Sequence, residues 1–159
     1  AGGGHAMAAG LTVAPDKLAE LEEFLSERIA KTMTGQPQGK YLGLDGALTV
    51  SGASRDLFDT LESAGPYGAG HPEPSFAIAN ADVVKADLVG HNHVRMVLAG
   101  ARGGRLKGIA FGVADSPLGQ AMLSSQGRSL HLAGHLRADD WQGRRGVQLF
   151  IEDAALPEN

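Results

Sequence analysis

The sequence predicts an α+β fold, in which a segment with one long helix precedes a barrel of five short strands. Apolar residues recur at three- and four-residue spacing between residues 18 and 33, which is typical of an amphipathic helix. Beyond residue 76, short strand-like runs are separated by glycine-rich turns. The stretch GPYGAGHPEPSF, with three glycines and three prolines in twelve residues, divides the two regions and predicts a linker.

The N-terminal region contains one clear helix and several shorter elements. Pro15 stands at or near the first position of the long helix, with Asp16 beside it, which is a favourable helix start. The predicted elements are a helical turn at 5–9 that ends at Gly10, a brief strand at 11–13, the long helix up to Met33, one or two short strands at 41–51, and a short helix at 54–63.

The C-terminal region is predicted to form strands at 81–89, 93–99, 106–111, 129–138 and 147–153, with a helix at 117–124. Five strands with a helix between the third and the fourth have the order of an OB-fold barrel. Period-two alternation places His131, His135 and Arg137 on the outer face of the fourth strand, and Gln148 and Phe150 on that of the fifth. The predicted domains are residues 1–65, a linker at 66–75 and a barrel at 76–156.

Charge is distributed unevenly along the 159 residues. The chain carries a net charge of −4, which divides into −6 over residues 1–90 and +2 over residues 91–159, and residues 91–150 alone carry +5. Because Lys and Arg release counterions when they contact phosphates, the C-terminal region is the candidate for binding a polyanion. The absence of cysteine excludes disulfides, thiolate zinc sites and a thiol nucleophile. No signal peptide or membrane-spanning stretch is found, and we expect a soluble, cytoplasmic protein without membrane contacts.

The chain begins with the sequence GGGH, which has two interpretations. A glycine run at a chain end is often a flexible terminus or a tight turn. Alternatively, the backbone of Gly3 and Gly4 approaches a ligand closely, free N–H groups of the next turn bind an anion, and His5 adds a donor. On spacing alone this is a weak phosphate-site signal.

The histidines give no metal site. Residues His91, Asn92 and His93 read HNH, which is also the name of a class of nucleases. In that class the three residues lie far apart in sequence, so the tripeptide alone does not indicate a nuclease. A metal bound by His91 and His93 would need a third ligand, and no residue in the sequence is identified as that ligand. His131 and His135 share one face of a strand but lie too far apart for one ion.

The hairpin predicted between the last two strands contains Trp141, Arg144 and Arg145. A single tryptophan in a hairpin is more often a packing residue than a ligand contact. Yet an aromatic ring and two guanidinium groups beside an OB barrel are suited to single strands, because bases stack on rings and guanidinium groups contact phosphates.

Three stretches together resemble the C-terminal part of the RecJ family, bacterial exonucleases that degrade single-stranded DNA from the 5′ end. The first is GGGHAMAAGL and the second is GPYGAGHPEPSF. The third crosses the barrel and includes the segments HVRMVLAG, LKGIAF and WQGRRGVQLFIEDA. His71 departs from the family, which usually has asparagine before Pro-Glu-Pro. The resemblance implies roles in DNA repair and recombination.

The resemblance also implies a division into domains. In the family a DHH phosphoesterase domain comes first, and its aspartates and histidines hold two Mn²⁺ or Mg²⁺ ions. No such segment is present, so we expect a fragment without cofactor that starts within the DHH-associated domain. Gly3, Gly4 and His5 would then grip the phosphate and face the catalytic domain, which is expected as a partner. Arg95, Arg137, Trp141, Arg144 and Arg145 of the barrel would bind single-stranded DNA.

Two other interpretations stay open. A small phosphodiesterase or phosphatase of the wider DHH superfamily shares the Gly-Gly-His loop but lacks an appended barrel. A non-enzymatic module would use the barrel to bind a partner, such as a single-strand-binding protein.

Overall fold

The computed structural model describes residues 2–5, 8–33, 41–140 and 143–157, with the backbone alone described for His5 and Met33. The chain divides into two compact units, residues 1–41 and 42–159. None of the described helices is long and apolar enough to cross a membrane.

The N-terminal unit contains a hairpin followed by a helix. Strand β1 (Gly2–His5) pairs antiparallel with β2 (Ala8–Leu11), and helix α1 (Leu18–Met33) follows a 3-10 turn. The predicted long helix is confirmed, whereas the helical turn predicted at 5–9 is wrong. Small side chains favour pairing here: a Cβ on Gly4 would lie 2.7 Å from the Cβ of Ala9, so glycine permits this close approach of β1 to β2.

The C-terminal unit consists of a closed barrel with two helices and one added strand. Its elements are β3 (Gly46–Leu48), α2 (Arg55–Ser63), β4 (Phe76–Val89), β5 (His93–Ala99), β6 (Arg105–Ala110), α3 (Pro117–Leu123), β7 (Ser129–Ala138) and β8 (Val147–Ala155). The strands pair in the order β4-β5-β6-β8-β7, and β7 pairs back onto β4. With α3 between β6 and β7, this is the predicted OB-fold architecture.

The two helices of this unit begin at hydroxyl caps. Ser54 accepts a hydrogen bond from the N–H of Leu57 at 3.2 Å, and Ser116 accepts one from the N–H of Gly119 at 3.1 Å. Such caps satisfy N–H groups that have no partner within the helix. They fix the start of α2, which carries side chains of the candidate site.

The unit boundary lies earlier than the predicted linker at 66–75. Strand β3 pairs parallel with the start of β4, and Phe58 of α2 joins the barrel core. The predicted linker also contacts α2, because the Tyr67 hydroxyl donates to the carbonyl of Leu61 at 2.5 Å. Residues 42–75 therefore belong to the barrel unit by contact. The assignment of residues 1–65 to a DHH-associated domain stays a prediction.

Closure of the barrel depends on Gly134. A Cβ at this position would lie 1.9 Å from the carbonyl oxygen of Phe150, where the register between β7 and β8 shifts. Only glycine permits this approach of the two strands. Inside the barrel, alternate residues of every strand form one apolar core that includes Ile78, Met96 and Leu149.

Candidate nucleic-acid interface

The outer face of the barrel carries a row of side chains that are polar or cationic except for one valine. Cross-strand register pairs Lys85 with Val97, Val97 with Lys107, Lys107 with Gln148, and Gln148 with Arg137. The row therefore crosses β4, β5, β6, β8 and β7, with a cation at each end and one in the middle. Alternation places four of these residues on the face opposite the core, and a register shift between Val83 and Lys85 turns Lys85 to the same face.

Two clefts open along this face and share Val97, Lys107 and Asp139. The larger, of about 520 Å³, lies between β5, β6 and the segment 139–147 that joins β7 to β8. The smaller, of about 390 Å³, extends toward β4. Together they are lined by seven cationic side chains: Arg55, Lys85, Arg95, Arg105, Lys107, Arg144 and Arg145. We call the joined clefts the basic groove. Only two carboxylates, those of Asp87 and Asp139, line it beside the seven cations, so the net charge of the lining is strongly positive.

Asp87 is one of these carboxylates and lies between two cations. Its carboxylate is 2.8 Å from the ammonium group of Lys85 and 3.1 Å from the guanidinium group of Arg95. The hydrogen bonds from Lys85 and then Arg95 hold the pKa of Asp87 below its usual value. The carboxylate is therefore ionised at neutral pH and offsets part of the positive charge.

The hairpin 139–146, which joins β7 to β8, is tied to the barrel on two sides. Lys107 of β6 contacts Asp139 at 2.6 Å. On the other side, Arg55 of α2 contacts Asp140 and donates to the carbonyl of Gly146 at 3.3 Å. The Asp59 and Asp140 carboxylates raise the pKa of Arg55 against the opposing effect of burial. These contacts fix the hairpin beside the basic groove.

Aromatic side chains form a strip next to the basic groove. The rings of His93 and Phe111 are 5.1 Å apart, and those of Phe111 and Phe150 are also 5.1 Å apart, both edge to face. The guanidinium group of Arg137 lies 5.5 Å from the centre of the Phe150 ring. Phe111 is half exposed although large and apolar. The exposed ring of Phe111 and the partly exposed ring of Phe150 offer stacking surfaces to planar ligands.

The structure brings three of the predicted site residues together. Arg95, Arg144 and Arg145 line the basic groove, whereas Arg137 lies beside the aromatic strip and is paired with Glu73. Trp141 lies outside the described residues, and so does the side chain of His5. Their roles in binding stay predictions.

Sequence analysis missed Phe111 as a candidate ligand contact, and it placed Phe150 on the outer face without assigning it a role. The signal is alternation: Phe111 directly follows buried Ala110 at the end of β6, and Phe150 lies between buried Leu149 and Ile151 on β8. Sequence analysis also missed Arg55, Arg105 and Lys107. Arg55 had no signal, because it comes to the groove from a helix that is far away in sequence.

Three histidines of the barrel strands have structural partners. The Nδ1 atom of His93 accepts from the N–H of Gly112 at 2.9 Å, and that of His131 accepts from the N–H of Asn80 at 3.1 Å. His135 lies 3.1 Å from a carboxylate oxygen of Glu152. Within the described part of the chain, no three His, Asp or Glu side chains are grouped closely enough to hold a metal ion. No residue is therefore assigned as a metal ligand.

The family of the chain follows from sequence comparison. A family described as the RecJ OB domain matches residues 44–153, which are most of the chain and include the barrel except for the last two residues of β8. The chain belongs to the RecJ OB-domain family. This match also favours RecJ over the smaller phosphodiesterases of the DHH superfamily, which lack the barrel.

Similar proteins carry the RecJ name. The chain is 32% identical over 151 residues to the protein from Dickeya dadantii named single-stranded-DNA-specific exonuclease RecJ, covering 94% of this chain and 25% of that one. The Escherichia coli protein of the same name is 32% identical, with 95% and 26% covered. The chain thus spans about a quarter of the length of these relatives.

Solved structures of RecJ share the fold. The crystal structure of RecJ from Thermus thermophilus in complex with Mn²⁺ matches with a TM-score of 0.72 and 22% identity, covering 100% of this chain and 22% of that one. The same protein in complex with Mg²⁺ matches with a TM-score of 0.70, also at 22% identity, and covers 100% and 23%.

Proposed function

We propose that this chain is the single-strand-binding C-terminal part of a RecJ-type exonuclease that acts in DNA repair and recombination. The observation that carries the proposal is the basic groove on the outer face of β5 and β6, bordered by the hairpin 139–146. OB folds bind oligonucleotides on the equivalent face and loops. The names of the relatives, which are single-stranded-DNA-specific exonucleases, agree with this ligand.

The arrangement suits single strands for a physical reason. Phosphates need cations along a path, and the groove supplies Arg95, Lys107, Arg144 and Arg145. Bases need planar surfaces, and Phe111 and Phe150 supply them beside the path. A duplex hides its bases from such rings, so stacking selects unpaired strands.

The hydrolytic step is assigned to another part of the enzyme. The T. thermophilus RecJ structures contain Mn²⁺ or Mg²⁺. The donor groups described here do not form a site for such an ion. We propose that a DHH domain supplies the metal site, and that Gly3, Gly4 and His5 hold the phosphate that is cut.

The isolated chain is expected to release no nucleotides from single-stranded DNA when Mn²⁺ or Mg²⁺ is present. The reason is that none of its described carboxylates is placed for metal-dependent hydrolysis. Acid-soluble nucleotide release measures this directly. Release that co-purifies with the chain and is abolished by EDTA would contradict the assignment of hydrolysis to another domain.

Replacing Arg144 and Arg145 together with alanine is expected to weaken oligonucleotide binding and to make it less dependent on salt. Two phosphate contacts fewer would shallow the log-log salt slope by about 1.4 for a single strand. Fluorescence anisotropy of labelled oligo(dT) at several salt concentrations gives both quantities. Arg102→Ala with Arg128→Ala is the matched control, because it removes the same charge without touching the lining of the groove.

An unchanged affinity and salt slope in the Arg144 and Arg145 double variant would show that the hairpin does not contact DNA. That result favours the second candidate, in which the barrel docks a protein such as a single-strand-binding protein.

A further inference from the structure

We propose that Asp59 of α2 is a built-in substitute for a DNA phosphate, which pairs with Arg145 until single-stranded DNA takes its place. This inference rests on the proposed function and adds a residue from outside the barrel strands to the binding site. It makes α2 a regulator of how strongly the hairpin 139–146 binds DNA.

The geometry of the Asp59 carboxylate supports this role. Its Oδ1 atom accepts from Nε of Arg55 at 2.8 Å, and its Oδ2 atom accepts from Nη2 of Arg145 at 2.9 Å. Two guanidinium groups thus share one carboxylate, one oxygen each. A phosphate presents oxygens to arginine in the same manner, so it is chemically suited to replace Asp59 at Arg145.

The two arginines differ in how firmly they are held. The Arg55 side chain is 20% exposed, and it contacts Asp140, the Gly146 carbonyl and the face of the Phe58 ring as well as Asp59. The Arg145 side chain is 66% exposed, and Asp59 is its one ion-pair partner among the described residues. Ion pairs between exposed side chains are weak, so a phosphate can displace this one.

The consequence is a two-part device. Arg55 is a positioning residue that keeps Asp59 and the base of the hairpin in place. Arg145 exchanges its carboxylate partner for a phosphate when DNA enters the groove. When a phosphate binds Arg145, the ion pair with Asp59 is lost. Arg145 therefore contributes less to the DNA-binding free energy of the wild-type protein than an unpaired arginine would contribute.

The test replaces Asp59 with asparagine and compares it with Asp56→Asn. Asparagine keeps an oxygen that can accept from Arg55 but removes the charge that attracts Arg145. Asp56 lies on the same helix, is exposed, and has no ion pair within the described residues, so its substitution makes the same change in net charge. Binding of oligo(dT) is measured by fluorescence anisotropy across a salt series. NMR of arginine side chains without DNA reports the partner of Arg145.

Asp59→Asn is expected to shift the guanidinium signals of Arg145, whose Nη2 atom contacts Asp59, and to tighten oligo(dT) binding at low salt by up to about five-fold. The salt slope is expected to stay nearly unchanged, because Arg145 contacts a phosphate in the DNA complex of both proteins. Arg145→Ala in the Asp59→Asn background should abolish the gain. Asp56→Asn should leave the Arg145 signal in place and change binding much less.

Equal binding by the Asp59→Asn and Asp56→Asn variants, with normal binding by the wild type, would overturn the inference and leave the proposed function intact. An Arg145 signal that does not respond to Asp59→Asn would also overturn it, without any reference to DNA. A wild-type protein that binds no oligo(dT) at all would instead overturn the proposed function, and the exchange with it.

Discussion

Replacing His5 with alanine in a full-length enzyme that contains this segment is expected to lower turnover by about 100-fold or more. A donor aimed at a phosphate in the transition state typically contributes this much to the rate. Folding should be retained, because His5 ends a strand of three glycines that supplies no apolar packing. Turnover is measured as nucleotide release under saturating substrate, and folding as the thermal unfolding midpoint.

The glycines of β1 provide matched controls for this prediction. A Cβ at Gly3 would meet no described atom within 4 Å, whereas one at Gly4 would lie 2.9 Å from the carbonyl oxygen of Ala8. Gly3→Ala therefore tests the approach of a phosphate to the backbone without disturbing the hairpin. Gly4→Ala tests the hairpin itself. Wild-type turnover in both His5→Ala and Gly3→Ala would exclude a phosphate-binding role, and the segment would then be interpreted as a simple turn.

The barrel was predictable because its signals are local. Strand β7 alternates buried Leu130, Leu132, Gly134 and Leu136 with less buried residues, and both of its ends coincide with the prediction. Strand β5 likewise matches the predicted bounds. Period-two alternation is set by the residues themselves, and it needs no knowledge of the partner strand.

The N-terminal hairpin was not predictable by the same reasoning. Residues 5–9 include three alanines, which favour helix when considered alone. The structure pairs Ala9 with Gly4 instead. This pairing depends on how closely two backbones approach, which local propensity does not describe.

The candidate site was predictable only in part, because it is assembled from distant segments. The hairpin arginines were found from their spacing beside Trp141. Their partner Asp59 lies 86 residues from Arg145 in sequence, and its own helix gives no sign of this contact. The aromatic strip likewise depends on the pairing of β6 with β8, which are distant in sequence and bring Phe111 and Phe150 together.

Replacing Phe150 with alanine is expected to weaken oligo(dT) binding by about 1 to 3 kcal/mol, which is the range measured for loss of one base–aromatic stack. The ring is flanked by Phe111 and by the guanidinium group of Arg137, so a base stacked there would lie next to a cation. The salt slope should stay nearly constant, because stacking releases few counterions. The same anisotropy titration at several salt concentrations measures both effects.

Two further substitutions separate stacking from packing. Phe150→Leu keeps apolar volume over the barrel but removes the flat face, whereas Phe150→Tyr keeps that face. If stacking is the cause, Leu should bind as weakly as Ala, and Tyr should bind like the wild type. Trp141→Ala carries the same expected loss from its position in the hairpin. If bases stacked on both Trp141 and Phe150, substitutions at either residue would weaken binding. Weaker binding by Trp141→Ala together with normal binding by all three Phe150 variants would therefore show that the bases stack on the hairpin rather than on the aromatic strip.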